Sequence, residues 1–179
     1  MTRIVAGEKS RGETYDFIRA EIAAGHRAFI LCPLIDPSDK LGMRAVKTEC
    51  EKLQKDIFPG TLIGAMHGRL KSEERDRLMR EFAEGKIPIL VSTTVVEVGV
   101  NVPEATVMMI EGAERFGLAQ LHQLRGRVGR GEAQGHCFLM VEDLTAGIKR
   151  RLNAFLACDN GFDLAEQDLA LRGPGEIWG

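Results

Sequence analysis

The strongest constraint on this fold is a rhythm of short, unbroken apolar runs separated by segments of helical character. The runs fall at 28–32, 61–66, 86–91, 106–110 and 135–141. A continuous run, in place of strict alternation, is what a strand buried on both faces requires. Between the runs, residues 13–24 carry Tyr15, Ile18 and Ile22 near helical spacing. Residues 43–55 and 72–82 are more charged helical segments, and 117–125 is a short one broken at Gly126. Residues 144–158 place Leu144, Ile148, Leu152 and Phe155 roughly on one face. Gly25, Pro59-Gly60 and Gly85 punctuate the pattern, and Ser72 is placed to cap the helix that Glu73 and Glu74 open. Residues 1–12 are polar and read as extended or frayed. The pattern predicts an α/β fold, a mostly parallel sheet covered by helices on both faces. Such sheets bind ligands at the carboxyl ends of their strands. The loops at 33–42, 67–70, 92–103 and 123–131 each follow a strand or the helix after one, so they are expected to share one edge.

A chain of 179 residues supports one good core. Its character changes after Asn160-Gly161, which divides it into a domain over 1–158 and a half-polar C-terminal appendage over 159–179 carrying Trp178. The net charge of -2 argues against a free-standing, strongly basic nucleic-acid binder but leaves room for a local phosphate-binding strip. Cys32, Cys50, Cys137 and Cys158 form no CxxC pattern, so neither a metal site nor a redox pair is expected, and Cys32 and Cys137 read as buried thiols. No apolar run reaches 18 residues and no apolar leader stands at the N-terminus, so the expectation is a cytoplasmic protein without a membrane partner.

The chemistry concentrates in residues 123–130, QLRGRVGR. Guanidinium groups keep their charge and present a rigid donor fork that suits phosphate oxygens. Glycines between them let the backbone approach closely. Arg127 and Arg130 suit the terminal phosphate of a nucleotide, where charge supplied to a transferring phosphoryl group is worth roughly 10³–10⁵ in rate. Gln123 suits the positioning of a water or a phosphate oxygen. The competing reading is a solvated basic turn. Residues 92–103, STTVVEVGVNVP, place Thr93 and Thr94 at a strand end ahead of Gly99 and Asn101. The hydroxyls suit a phosphate, and Asn101 suits a ribose hydroxyl; alternatively the threonines cap a short helix. His67-Gly68-Arg69 ends another strand, where glycine permits close approach of a nucleic-acid strand and Arg69 suits its phosphate. Glu111 and Glu114 pair either with Arg115 or with the arginine cluster. Arg172-Gly173-Pro174-Gly175 is either a phosphate nest or a turn. The sequence holds no GxxxxGK[ST] loop and no acidic pair after a strand for magnesium. It therefore carries arginines for a transition state without the phosphate cradle, and no ATP hydrolysis is expected of it alone.

With these residues assembled, the chain resembles the second RecA-like motor domain of superfamily 2 helicases, most specifically the RecG family of bacterial DNA helicases. Residues 89–103 resemble that family's motif V and residues 120–130, QLHQLRGRVGR, its motif VI. Residues 28–35, AFILCPLI, and 66–69, MHGR, resemble the segments around motif IV. Transcription-repair coupling translocases share the LRGRVGR element and are the alternative. Residues 162–175, FDLAEQDLALRGPG, lean toward RecG, whose helical hairpin and loop after motif VI couple the motor to duplex DNA.

The resemblance implies a RecA-like fold of the P-loop NTPase type and a motor half acting in recombination and repair. ATP and Mg²⁺ would be bound mainly by a first motor domain, with Gly99, Asn101, Arg127 and Arg130 completing the site from this side and Gln123 assisting catalysis. His67, Gly68, Arg69, Thr93 and Thr94 would contact DNA. The implied partners are branched double-stranded DNA and, in a longer, monomeric parent chain, the first RecA-like domain and a wedge domain that splits strands. The stop at Gly179 is read as that of an excised fragment. Asn101 stands where the family usually has aspartate, which keeps an acceptor for a ribose hydroxyl but loses the charge. A non-catalytic RecA-like interaction module is the alternative of another class, and a small stand-alone nucleotide enzyme is a third; the retained arginines oppose the first and the missing phosphate loop the second.

Overall fold

A computed structural model describes residues 1–34, 42–93 and 102–158. Six strands form one sheet: β1 (Thr2–Ala6), β2 (Arg27–Leu31), β3 (Ile63–Met66), β4 (Ile89–Ser92), β5 (Ala105–Ile110) and β6 (His136–Val141), in the order β1-β6-β5-β2-β4-β3. Every neighbouring pair is parallel. The helices are α1 (Glu8–Ala23), α2 (Met43–Lys52), α3 (Ser72–Ala83), α4 (Leu118–Arg125) and α5 (Ala146–Ala157). A π-helical turn, Leu53–Ile57, extends α2, and a 3-10 turn, Ala113–Arg115, follows β5.

The unbroken apolar runs have the expected cause. Strand side chains alternate between two separate cores of buried apolar residues. Phe29, Leu31, Leu90, Met108, Ile110, Leu139 and Val141 pack with Met79 and Phe82 of α3, the leucines of α4, and Leu152 and Phe155 of α5. Ala28, Ile30, Val91, Val107, Met109, Phe138 and Met140 pack on the other face with Ile18 of α1, Val46 of α2, and Leu53, Ile57 and Phe58. The central β2 is buried along its whole length.

Several boundaries depart from the sequence expectation. Residues 1–12 are not frayed: they form β1, an edge strand in parallel register with β6, and the first turns of α1. An edge strand needs one buried side only, and Val5 alone is fully buried in β1, so no apolar run announces it. Lys86 and Ile87 precede β4: the Ile87 N–H bonds Glu81, and Pro88 offers only its carbonyl, to Ala28. Ser72 is the first residue of α3, not its cap; the N–H of Lys71 before it donates to Glu74 Oε2 at 3.1 Å. Leu144 lies ahead of α5 and is exposed, while Thr145 caps that helix by accepting from the Ile148 N–H. Cys32 and Cys137 are buried, as expected. Residues 159–179, with Trp178 and the Arg172-Gly173-Pro174-Gly175 element, lie outside the described residues.

Candidate functional site

Helix α4 buries Leu118, Leu121 and Leu124, which turns Gln123 outward. The helix closes at Gly126, and the Arg127 N–H caps it by donating to the Leu124 carbonyl at 3.0 Å. Val128 then anchors the chain in the core. Gly129 adopts φ +69°, in the left-handed region that favours glycine, and its N–H donates to the Ala105 carbonyl at 3.0 Å. A Cβ on Gly129 would lie 2.4 Å from the Gly135 nitrogen, so these two glycines close the loop backbone on backbone. Gln123 and Arg130 are exposed and Arg127 is half-buried. Arg130 Nε donates to the Gly126 carbonyl at 2.8 Å. The loop is thus a rigid, glycine-locked mount that presents guanidinium groups and one amide, a donor set that fits phosphate oxygens.

Arg125 has another task. Its guanidinium stacks on Phe155 of α5 at 4.8 Å from the ring centre and reaches the Cys158 carbonyl at 3.4 Å. It fastens α4 to α5.

The expectation that all four loops share one edge is corrected by this geometry. Ala105 is the first residue of β5, so the arginine loop sits at the amino ends of the strands. The reason is elementary: a helix that follows a parallel strand must return the chain to the sheet's opposite end before the next strand begins. Pro103 is at that end too, against Gly131 of the arginine loop. Thr93, just past β4, and Pro103, just before β5, therefore stand at opposite ends of the sheet.

The second group stands at the carboxyl ends. Register pairs Met66 of β3 with Ser92 of β4, which places His67 and Thr93 side by side just beyond. Both are buried, whereas Gly68 and Arg69 are exposed on the turn closed by the Leu70 N–H and the His67 carbonyl. Thr93 is covered by Gly42, the left-handed residue before α2, where a Cβ would fall 2.4 Å from Thr93 Oγ1. Of the residues expected to meet DNA, Gly68 and Arg69 are thus presented to solvent and His67 and Thr93 are not. Thr94, Gly99 and Asn101 lie outside the described residues.

A cavity of about 300 Å³ also opens at the carboxyl ends, lined by Cys32, Pro33, Arg44, Glu49, Glu111 and Arg115 among others. It is at the far end of the sheet from the arginine loop and so is not the arginine site. Glu111 does not orient the arginine cluster: it accepts two hydrogen bonds, at 2.9 and 3.0 Å, from Arg11 Nη1 on α1. Glu114, largely buried, keeps the exposed Arg115 Nε at 3.9 Å, a loose pairing. Burial works against the Arg11 charge, but the Glu111 carboxylate more than offsets it and the Arg11 pKa is raised. Burial also raises the Glu49 carboxyl, with Glu111 adding to the effect and Lys52 opposing it. The Cys32 thiol is pushed up to about 12, first by burial and then by Glu49, which makes it a protonated core group and no nucleophile. Arg11 was not among the expected site residues. It lies in the stretch read as frayed, and only the three-dimensional fold brings it to Glu111.

Comparison with known proteins places this geometry. The chain is 55% identical over 167 residues to the ATP-dependent DNA helicase RecG of Thermotoga maritima, covering 93% of this chain and 21% of that protein. It is 51% identical over 164 residues to RecG of Bacillus subtilis, covering 91% of this chain and 24% of that protein. Among solved structures it superposes on RecG bound to a three-way DNA junction with a TM-score of 0.78 and 50% identity, covering 98% of this chain and 22% of the other. The chain therefore spans about a fifth to a quarter of the length of these relatives, and its fold is the RecA-like sheet that they share. The helicase conserved C-terminal domain matches residues 13–132, and the chain belongs to that family.

Proposed function

We propose that this chain is the second motor domain of an ATP-dependent DNA helicase that remodels branched DNA. Residues 1–158 would form the motor half and 159–179 the start of the segment that couples it to DNA. The observation that carries the reading is the arginine loop: Arg127 and Arg130 on a backbone locked by Gly129 and Gly135, with Gln123 beside them. A first motor domain with a phosphate loop would hold ATP. Guanidinium groups repel cations, so Mg²⁺ would be held there as well. Arg127 and Arg130 would stabilise the charge that spreads over the γ-phosphoryl group, Gln123 would orient water or phosphate, and Gly99 and Asn101 would meet the sugar side of the nucleotide. At the opposite ends of the strands, Gly68 and Arg69 would touch the DNA backbone directly. His67 and Thr93 would support that surface from beneath, and Thr94 would contribute to the contact with DNA.

This division of labour explains why the two groups stand at opposite ends of one sheet. A motor must bind nucleotide and track at separate places and couple them through a stiff body. Alone, the domain lacks the phosphate cradle and would not turn over ATP. The parent would act as a monomer in the bacterial cytoplasm, with a wedge domain separating strands. Replacing the matching segment of Thermotoga maritima RecG with this chain tests the reading. The chimaera should hydrolyse ATP faster when forked DNA is added. A folded chimaera with no DNA-stimulated hydrolysis would contradict it.

A further inference from the structure

The two residues that flank Arg130 are both packed more tightly than any side chain allows. On one side, Gly129 is tied to Ala105 and pressed on Gly135. On the other, a Cβ on Gly131 would stand 2.7 Å from the Pro103 carbonyl oxygen and 3.3 Å from its carbonyl carbon. The Cα of Gly131 thus rests on the peptide of Pro103, and any larger residue must drive the two apart by several tenths of an ångström. Gly126, in the same stretch, is different: a Cβ there meets nothing closer than 3.6 Å. The demand for glycine by close contact falls on the neighbours of Arg130 and not on every glycine of the cluster. Pro103 follows Asn101 by two residues in the chain, so the contact joins the end of the segment after β4 to the arginine loop.

We propose that Gly131 is a positioning residue for Arg130, and that its contact with the Pro103 peptide fixes the distance between the arginine and the end of the β4–β5 segment. This rests on the reading of Arg130 as a phosphate-contacting group. With Gly129 held at Ala105, a displacement of Gly131 passes in part into the backbone of Arg130, which joins the two. A guanidinium moved by less than an ångström still carries its charge but no longer meets the transferring phosphoryl group in line. Misplacement of about 1 Å costs up to about 100-fold in rate. The ground-state hold on ATP lies mainly in the other motor domain, so the loss appears in kcat and leaves KM for ATP nearly unchanged.

The test uses the full-length helicase and four variants: Gly131→Ala, Arg130→Ala, the double variant, and Pro103→Gly. Gly131→Ala should lower kcat by about 10- to 100-fold with little change in KM. The double variant should be no slower than Arg130→Ala alone, because Gly131 acts through Arg130. Pro103→Gly keeps the carbonyl that Gly131 meets but removes the Cβ at 3.3 Å and frees the backbone that carries the carbonyl, so it relaxes the same contact without adding an atom. It should show the same kcat loss at smaller size, which keeps the proposal testable if Gly131→Ala fails to fold. Wild-type kcat in a folded Gly131→Ala beside an inactive Arg130→Ala overturns the positioning role and leaves the arginine reading standing. So does wild-type kcat in Pro103→Gly, or losses that multiply in the double variant. Wild-type kcat in Arg130→Ala overturns both.

Discussion

Arg125, Arg127 and Arg130 lie in one short stretch and do different things. Arg125 is spent on Phe155 and the Cys158 carbonyl, while Arg127 is half-buried and Arg130 is exposed, mounted on Gly126. Sequence spacing pointed to Arg127 and Arg130 but could not show what Arg125 serves, because its partners lie far along the chain. The same limit hid Arg11. It also made His67 and Thr93 look like surface contacts, since nothing in the sequence places Gly42 over Thr93. A further residue with a measurable consequence is Glu49. Its folded pKa is raised by burial, so the stability it contributes is present below the ordinary carboxylate range and is lost as pH rises through the folded value. Glu49→Gln removes that titration. Its gain in Tm over the unmodified chain should therefore be larger at pH 7 than at pH 4, as read by thermal unfolding at the two pH values. An equal difference at both would mean that Glu49 ionises as freely folded as unfolded.

At the scale of elements, the unbroken apolar runs at β2, β4, β5 and β6 were legible because a strand buried on both faces has no polar side to show. The edge strands were harder to read. β1 carries Thr2 and Arg3 and was missed, and β3 is two residues shorter than its run, with Leu62 left 63% exposed ahead of it. An edge lacks one neighbour, so its composition relaxes. The joints between elements were not legible, and the Arg11–Glu111 pair is the clearest of them, tying α1 to the end of β5. Arg11→Met should cost about 1–3 kcal/mol in chemical denaturation, because it leaves a carboxylate buried without its partner. The value falls below that of a fully buried pair because the Arg11 side chain retains 21% exposure. Adding Glu111→Leu should recover most of the loss. If the double variant is as unstable as the sum of the singles, the pair is not the joint described.

For the whole molecule, the α/β class and the parallel sheet followed from alternation alone, but the placement of the loops did not. The arginine loop and the His67–Arg69 turn were expected on one edge and stand at opposite ends of the strands, because α4 carries the chain back across the sheet. The separation gives the isolated domain a definite behaviour toward DNA. On the proposed reading it would offer only a few phosphate contacts, and its overall charge is -2. Binding to duplex or branched DNA should be weak, with log K falling against log salt by about 0.9 for each phosphate contacted, so a slope shallower than about −4. Fluorescence anisotropy over a salt series reads this directly, and tight, sequence-selective, salt-insensitive binding would be incompatible with a tracking surface. The central claim is that Arg130 acts on nucleotide while the far edge acts on DNA. ATP hydrolysis by the full-length helicase, with and without forked DNA, beside the same protein carrying Arg130→Ala, tests it most directly. The account predicts fork-stimulated turnover that falls by roughly 10³-fold or more in the variant, with DNA affinity nearly unchanged. Equal losses of turnover and DNA affinity, or turnover that survives the substitution, would contradict it.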